Sequence, residues 1–198
     1  MRICLISVTT CIVAGLIAIF PIGVAAEISL LKNDRLIEAV KANDLQAAED
    51  MLVRKHDVDA RDENRRTALF YAAIHGNEDF ADLLLQFNSK IGAIDKYGSS
   101  PVYYAAAANH IGIIEILAKK GANLNQQNRQ GMTPLMVAAS EGNLAAVQIL
   151  IELKADSATT DFTGRTAYDW AVRNERRFVI RYLKSAKNGD EDLIKLNR

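Results

Sequence analysis

Cysteine is scarce in this chain, and its placement limits the chemistry available to the protein. The only two cysteines, Cys4 and Cys11, lie in an apolar stretch at the N-terminus. A chain that loses this stretch has neither a disulfide nor a reactive thiol, although exported proteins often use disulfides. Functions that depend on cysteine are therefore excluded for residues 27–198.

A surplus of one charge sign is also lacking. The chain has 24 Lys and Arg residues against 24 Asp and Glu residues, and no block of like charge stands out. Removal of Arg2 with the N-terminal stretch takes the basic count from 24 to 23, a formal charge of −1. A protein that binds nucleic acid needs several cations on one face. Nucleic acid is therefore not the expected partner.

Residues typical of catalytic or metal sites are few. The three histidines form no helical His-Glu-x-x-His pair, and there is no glycine-rich phosphate loop or serine elbow. His56 with Asp57 and Asp59 is interpreted as part of an ordinary turn, because three residues do not make a metal site. His110 is interpreted as structural. The sequence predicts no enzyme, no metal site and no cofactor.

Residues 1–26 have the pattern of a secretory leader. Arg2 precedes an apolar stretch over residues 3–20, and the small residues Val24-Ala25-Ala26 come before Glu27. This pattern is typical of a signal peptide, so we expect cleavage after Ala26 and a periplasmic or secreted mature chain. The alternative is an uncleaved membrane anchor over residues 3–20, because that stretch is near the lower limit of about 18 residues for a spanning helix.

A period of 33 residues organises the rest of the chain. Four similar stretches place a hydroxyl residue at equal intervals, at Thr67, Ser100, Thr133 and Thr166. In Ser100-Pro101 and Thr133-Pro134 the hydroxyl residue suits a helix N-cap and the proline suits the first helical position. Each stretch leads to a second segment with apolar residues at helical spacing, such as Val147, Leu150 and Ile151. The pattern predicts repeated pairs of helices.

This period, the Thr-Pro openings and the alanine pairs that follow them resemble the ankyrin repeat. The resemblance covers about residues 34–186 and implies an all-α ankyrin-repeat solenoid of about four to five helix-turn-helix units, connected by β-turn loops. A short segment over residues 27–33 precedes it, and a tail over residues 187–198 follows. The units are expected at about 34–61, 62–94, 95–127, 128–160 and 161–186.

The chain departs from the family pattern at several positions. The family usually has histidine three residues after the threonine, where this chain has Phe70, Tyr103, Met136 and Asp169. The hydrogen bonds of that histidine are therefore expected to be altered or absent, with packing in their place. Arg65 and Glu175 replace glycine, so the sequence leaves the local geometry there open. Lys184 replaces an apolar residue, which suits the polar outer face of a terminal unit.

The resemblance also implies a monomer with a preformed surface. This surface is expected to dock a partner protein on its turn tips and concave helix face, away from any membrane once the leader is removed. Tyr97 and Phe162 stand out because interfaces concentrate their energy in aromatic residues and arginine; for the arginines, the alternative is a solvated turn. The candidate positions are Arg66, Ile74, His75, Lys96, Tyr97, Ser99, Arg129, Gln130, Met132, Ser140, Glu141, Phe162 and Arg165.

The sequence leaves two points open, the role of a shared aromatic position and the cellular role of the protein. Tyr71, Tyr104 and Trp170 share one position in three units, with Val137 between; packing between helices is favoured, and a buried ring with an exposed polar tip is the alternative. The chain is similar to exported ankyrin proteins of the bacterial envelope, which implies that it neutralises a toxin or assists an envelope enzyme. A secreted effector that binds a host-cell protein is the alternative.

Overall fold

The computed structural model describes residues 35–188, and in that range the chain forms ten α-helices and no strand. The predicted leader, the segment over residues 27–33 and residues 189–198 of the predicted tail lie outside the described residues. The helices form five pairs: α1 (Arg35–Lys41) with α2 (Leu45–Val53), α3 (Ala68–His75) with α4 (Glu78–Gln86), α5 (Pro101–Ala107) with α6 (Ile111–Lys119), α7 (Pro134–Glu141) with α8 (Leu144–Glu152), and α9 (Ala167–Arg173) with α10 (Arg177–Asn188).

The pairs stack into two parallel layers. The first helices pack in the order α1, α3, α5, α7 and α9, and the second helices pack in the order α2, α4, α6, α8 and α10. One continuous core lies between the layers, since a single pair cannot bury its apolar face alone. Leu150 is fully buried at its centre, whereas Lys184 on α10 is exposed. The predicted all-α solenoid is thereby confirmed.

The helix starts show how the chain manages without the family's histidine. The Ser100 and Thr133 hydroxyls accept the backbone N–H three residues on, at 3.4 and 3.3 Å. The Thr166 hydroxyl makes the same kind of bond to Asp169, and the Asp169 carboxylate accepts the Thr166 backbone N–H at 2.8 Å. Together the two bonds form a capping box. Thr67 makes no such cap. The expected change in hydrogen bonding is confirmed.

Two turns that the sequence left open keep the geometry of their glycine-containing equivalents. Arg65 has a φ of 62° and Glu175 a φ of 57°, both left-handed, like Gly142 with a φ of 85°. A side chain in this region costs about 1–2 kcal/mol. The stack therefore imposes the turn geometry even where the residue opposes it.

Candidate partner-binding surface

Each of the four turns that precede α3, α5, α7 and α9 is closed by the side chain of its first residue. The Asp95 Oδ1 atom accepts the backbone N–H groups of Tyr97 at 2.8 Å and Ser99 at 2.9 Å. The same two bonds, to the residues two and four positions on, form at Asp62, Asn128 and Asp161. Asp and Asn favour such turns because their side chains bond to their own backbone. The tips are therefore fixed in position.

Backbone hydrogen bonds join the four tips into one edge. The Lys96 N–H donates to the Asn64 carbonyl at 2.9 Å, and the Arg129 N–H donates to the Tyr97 carbonyl at 2.9 Å. The Phe162 N–H donates to the Gln130 carbonyl at 3.3 Å. We call this hydrogen-bonded row the tip edge; it comprises residues 63–64, 96–97, 129–130 and 162–163.

In three units, the aromatic side chain nine residues after the turn aspartate donates a hydrogen bond to the second oxygen of that carboxylate. These bonds explain the shared aromatic position: its rings are half-buried, and their polar atoms bind inside the fold rather than facing solvent. The sequence analysis missed the bonds, although the constant spacing was visible. The donors and acceptors are Tyr71 to Asp62 at 2.6 Å, Tyr104 to Asp95 at 2.7 Å and Trp170 to Asp161 at 3.0 Å.

These contacts hold the charges of the turns in a fixed state. Burial raises the pKa of Asp161, but hydrogen bonds from Thr163, Arg165 and Trp170 outweigh it and lower the pKa to about 2. Burial and the hydrogen bond to Asp95 raise the pKa of Tyr104 to about 12. The carboxylate is therefore ionised and the phenol neutral at ordinary pH.

Two of the predicted arginines are engaged within the stack. The Arg66 guanidinium donates to the Tyr104 hydroxyl at 2.8 Å and lies 3.6 Å from Asp95 Oδ2, so it ties one unit to the next. Arg165 lies over the Trp170 ring, 5.7 Å from its centroid. Both arginines are half-buried. Only part of each side chain remains available to a partner.

The other predicted residues separate into accessible and inaccessible sets. Tyr97 and Phe162 are 53% and 72% exposed. Ile74 and Lys96 are half-buried, and the exposed remainder comprises His75, Arg129, Gln130 and Glu141.

Ser99, Met132 and Ser140 are buried, so the prediction that they present side chains to a partner was wrong. Ser99 and Met132 follow the tips at the inner end of their turns, where their N–H groups bond to Asp95 and Asn128. The Ser140 hydroxyl accepts Asn174 Nδ2 at 2.7 Å. Asn174 of the next unit thus covers Ser140, which a single repeat does not reveal.

The C-terminal carbonyls of the first helices are also occupied by the next unit. His110 Nε2 lies 3.1 Å from the Ile74 carbonyl oxygen, so it is placed to donate to it. Asn143 Nδ2 donates to the carbonyls of Ala106 at 3.0 Å and Ala107 at 2.8 Å. The structural interpretation of His110 is confirmed.

A cleft of about 320 Å³ opens between the second and third turns. Tyr103, which was not among the predicted partner contacts, reaches it from α5 and lies beside Asn128. The cleft adjoins the tip edge, and its lining residues are Tyr97, Ser99, Tyr103, Tyr104, Asn128, Arg129 and Gln130.

Within residues 35–188, no group of His, Cys, Asp and Glu is placed to hold a metal ion. None of the helices in that range combines the length and the apolar character needed to cross a membrane.

A family model of ankyrin repeats, in three copies, matches residues 36–128 and 120–195. The chain belongs to the ankyrin-repeat family. A search of curated proteins found no match to the chain. Ankyrin repeats are typically non-catalytic binding modules, and this ankyrin-repeat chain is a protein–protein interaction module.

Proposed function

We propose that this ankyrin-repeat protein docks a partner protein across the tip edge and the adjoining ends of its first helices. The observation that carries the proposal is the exposure of two large aromatic side chains on a backbone that is hydrogen-bonded throughout. Tyr97 is 53% exposed and Phe162 is 72% exposed. The backbone of each residue is hydrogen-bonded to the tip of a neighbouring repeat. A rigid edge loses little conformational entropy on binding.

The surrounding exposed residues extend this surface. Arg129 and Gln130 lie on the tip edge between the two aromatic residues, and His75 and Glu141 lie at the ends of α3 and α7. Such a mixture of aromatic, basic and amide side chains is typical of a polar interface with a few energetic anchors.

The test is the affinity of residues 27–198 for a partner captured from the cell envelope. We expect Tyr97→Ala and Phe162→Ala each to weaken binding by about 2 kcal/mol, with little change in thermal stability. Phe178→Ala is the matched control, because Phe178 is 68% exposed but lies on the second helix α10. Loss of binding in the control alone, with both tip variants unaffected, would place the interface on the second helices.

The cellular role in this proposal is that of an exported monomer that inhibits or assists an envelope enzyme or toxin. The leader pattern of residues 1–26 and the membership of the ankyrin-repeat family support it. The alternative, an effector that binds a host-cell protein, requires the chain outside the producing cell.

Fractionation of the producing cells with N-terminal sequencing separates these cases. A periplasmic chain that begins at Glu27 agrees with the proposal. A chain that retains Met1 in the membrane fraction indicates the anchor, and a chain found only outside the cells or in a host cell indicates the effector.

A further inference from the structure

The last unit leaves uncovered the surface on which each earlier unit stacks its successor. On α9, Tyr168 is 38% exposed and Val172 is 47% exposed. The residues at these two positions in the three preceding units are at most 1% exposed; they are Leu69, Val102 and Leu135, and Ala73, Ala106 and Ala139. The difference follows from the order of the stack, since α7 packs on one side of α9 and no further first helix follows within residues 35–188.

The second helix of the last unit adds a third apolar side chain to this surface. Ile180 on α10 is half-buried, whereas its equivalents Ala81, Ile114 and Val147 are fully buried. We call Tyr168, Val172 and Ile180 the end face. The terminal repeat of a solenoid usually presents a polar outer face, which keeps the protein soluble. The end face does not follow that rule, so it requires a cover.

The last unit also has a surplus of positive charge. Residues 161–188 carry seven Lys and Arg residues against three Asp and Glu residues. Arg173 and Lys184, which border the end face, are exposed, and neither forms an ion pair within residues 35–188. Among the acidic residues, Asp161 and Asp169 are bound within the turn and the capping box. A segment that covers the end face therefore meets positive charge at its border.

The sequence directly after α10 has the complementary chemistry. Residues 189–198 lie outside the described residues, but their sequence has three consecutive acidic residues over 190–192, and Leu193, Ile194 and Leu196 follow. The ankyrin-repeat match runs to residue 195, past the end of α10. Acidic and apolar side chains are thus adjacent in this segment, as the border and the centre of the end face require.

This segment also begins in the right place and is long enough. A short turn joins α9 to α10, so the two helices run antiparallel and the end of α10 lies beside the start of α9, near Tyr168. An extended chain over residues 189–198 spans on the order of 30 Å, and packed helices lie about 8–10 Å apart. The segment can therefore cross from α10 to α9.

We propose that residues 190–196 cover the end face and so take the place of a sixth repeat. The leucine and isoleucine side chains of the segment remove Tyr168, Val172 and Ile180 from water, which supplies the driving force. The acidic residues lie toward the cations at the border. Exposed ion pairs contribute little to stability, so the charges select this occupant while the apolar contacts hold it.

Other occupants fit the end face less well. A second copy that brought its own end face would place like charges against each other, which opposes association. A separate protein loses translational and rotational freedom when it binds, whereas a segment attached to α10 is present at a high effective concentration. The covalent connection therefore favours the chain's own C-terminal segment.

The test uses introduced thiols, because residues 27–198 contain no cysteine of their own. Val172→Cys places one thiol on the end face of the chain with its complete C-terminus. Phe178→Cys is the matched control, at a 68% exposed position of the same unit that lies outside the end face. We expect a soluble thiol reagent to label Val172→Cys at least tenfold more slowly than Phe178→Cys.

A polar version of the segment shows what protects the thiol. With Leu193→Ser and Ile194→Ser together, labelling of Val172→Cys should become at least tenfold faster, because serine side chains have little apolar surface to bury. Labelling of Phe178→Cys should not change. Unchanged far-UV circular dichroism confirms that the helices remain, so that faster labelling reports the uncovered end face.

A disulfide identifies the occupant directly. Mild oxidation of the chain with Val172→Cys and Ile194→Cys should join the two cysteines within one molecule. The control pairs Leu153→Cys with Ile194→Cys, because Leu153 is 36% exposed at the end of α8, which packs beside α10. We expect the control disulfide to form at least tenfold more slowly.

Three results would overturn the proposal. Labelling of Val172→Cys as fast as that of Phe178→Cys would show an open end face. Slow labelling that persists in the serine variant would show that another group covers it, and an increase of protection with protein concentration would identify a second copy. Equally fast formation of both disulfides would show that the segment has no fixed position. Tip-edge docking is independent of all three results, since it involves none of the end-face residues.

Discussion

The Trp170 indole N–H donates to Asp161 Oδ2 at 3.0 Å, which ties the first helix of the last unit to the turn that precedes it. Tyr71 with Asp62 and Tyr104 with Asp95 repeat the arrangement. The remaining oxygen of each carboxylate closes the turn, so one side chain fixes both the tip and the helix behind it. The unit of α7 and α8 has Val137 in place of the ring, and the candidate cleft lies beside its turn.

Removal of the Tyr104 hydroxyl tests this tie. That hydroxyl donates to Asp95 at 2.7 Å and accepts from Arg66 at 2.8 Å, so Tyr104→Phe deprives two charged groups of a partner. We expect the free energy of unfolding in urea to fall by about 1–3 kcal/mol. Tyr97→Phe is the control, because Tyr97 is exposed and its hydroxyl has no hydrogen-bond partner among the described residues. Equal effects of the two substitutions would contradict the tie.

Acid should weaken the stack through Asp161. Its pKa is lowered from 3.8 to about 2 in the folded chain, so between these values the unfolded chain binds more protons. The stabilising contribution of Asp161 is therefore fully present above about pH 4 and is lost as the pH drops toward 2. Asp161→Asn should show a smaller fall over that range in urea melts, and Asn128 shows that an amide still closes the turn. The same pH dependence in both proteins would refute the assignment.

The core register is tested by truncation of a central side chain. Leu150 is fully buried on α8, so Leu150→Ala should lower the free energy of unfolding by about 2–5 kcal/mol through the cavity it leaves. Leu153→Ala, at a position that is 36% exposed, serves as the control.

Lys184→Leu should change stability by less than about 0.5 kcal/mol, because Lys184 faces solvent. A large loss for Lys184→Leu would indicate that a further segment packs on α10.

Relief of backbone strain at Arg65, in the turn before α3, should stabilise the protein. Arg65 is exposed and left-handed, with a φ of 62°, so Arg65→Gly should raise the free energy of unfolding by about 1 kcal/mol. Arg65→Ala removes the same charge and long side chain but keeps the strain, and it should give no such gain. Thermal and urea melts of both variants provide the comparison. A gain of equal size in Arg65→Ala would attribute the effect to the side chain rather than to φ.

The sequence alone determined the repeating architecture. The 33-residue period, the hydroxyl-proline openings and the helical spacing of residues such as Leu150 are local signals, and each acts within one unit. The exposure of Lys184 followed from the same reasoning, because a charge at a position that is apolar in other units indicates an end of the stack. The expected loss of the family's histidine network was also correct, although its replacement by the Thr166–Asp169 capping box was not foreseen.

Tertiary structure decided which residues of each repeat face outward and which contacts join the repeats. Ser99, Met132 and Ser140 are buried in the stack, and the Arg66 guanidinium donates to the Tyr104 hydroxyl of the next repeat, 38 positions away. Such contacts join residues that are one repeat apart in sequence, so no pattern within a single unit reports them. Burial in a solenoid is a property of the interface between units, and only the stacked structure places Asn128 and Tyr103 together at the cleft.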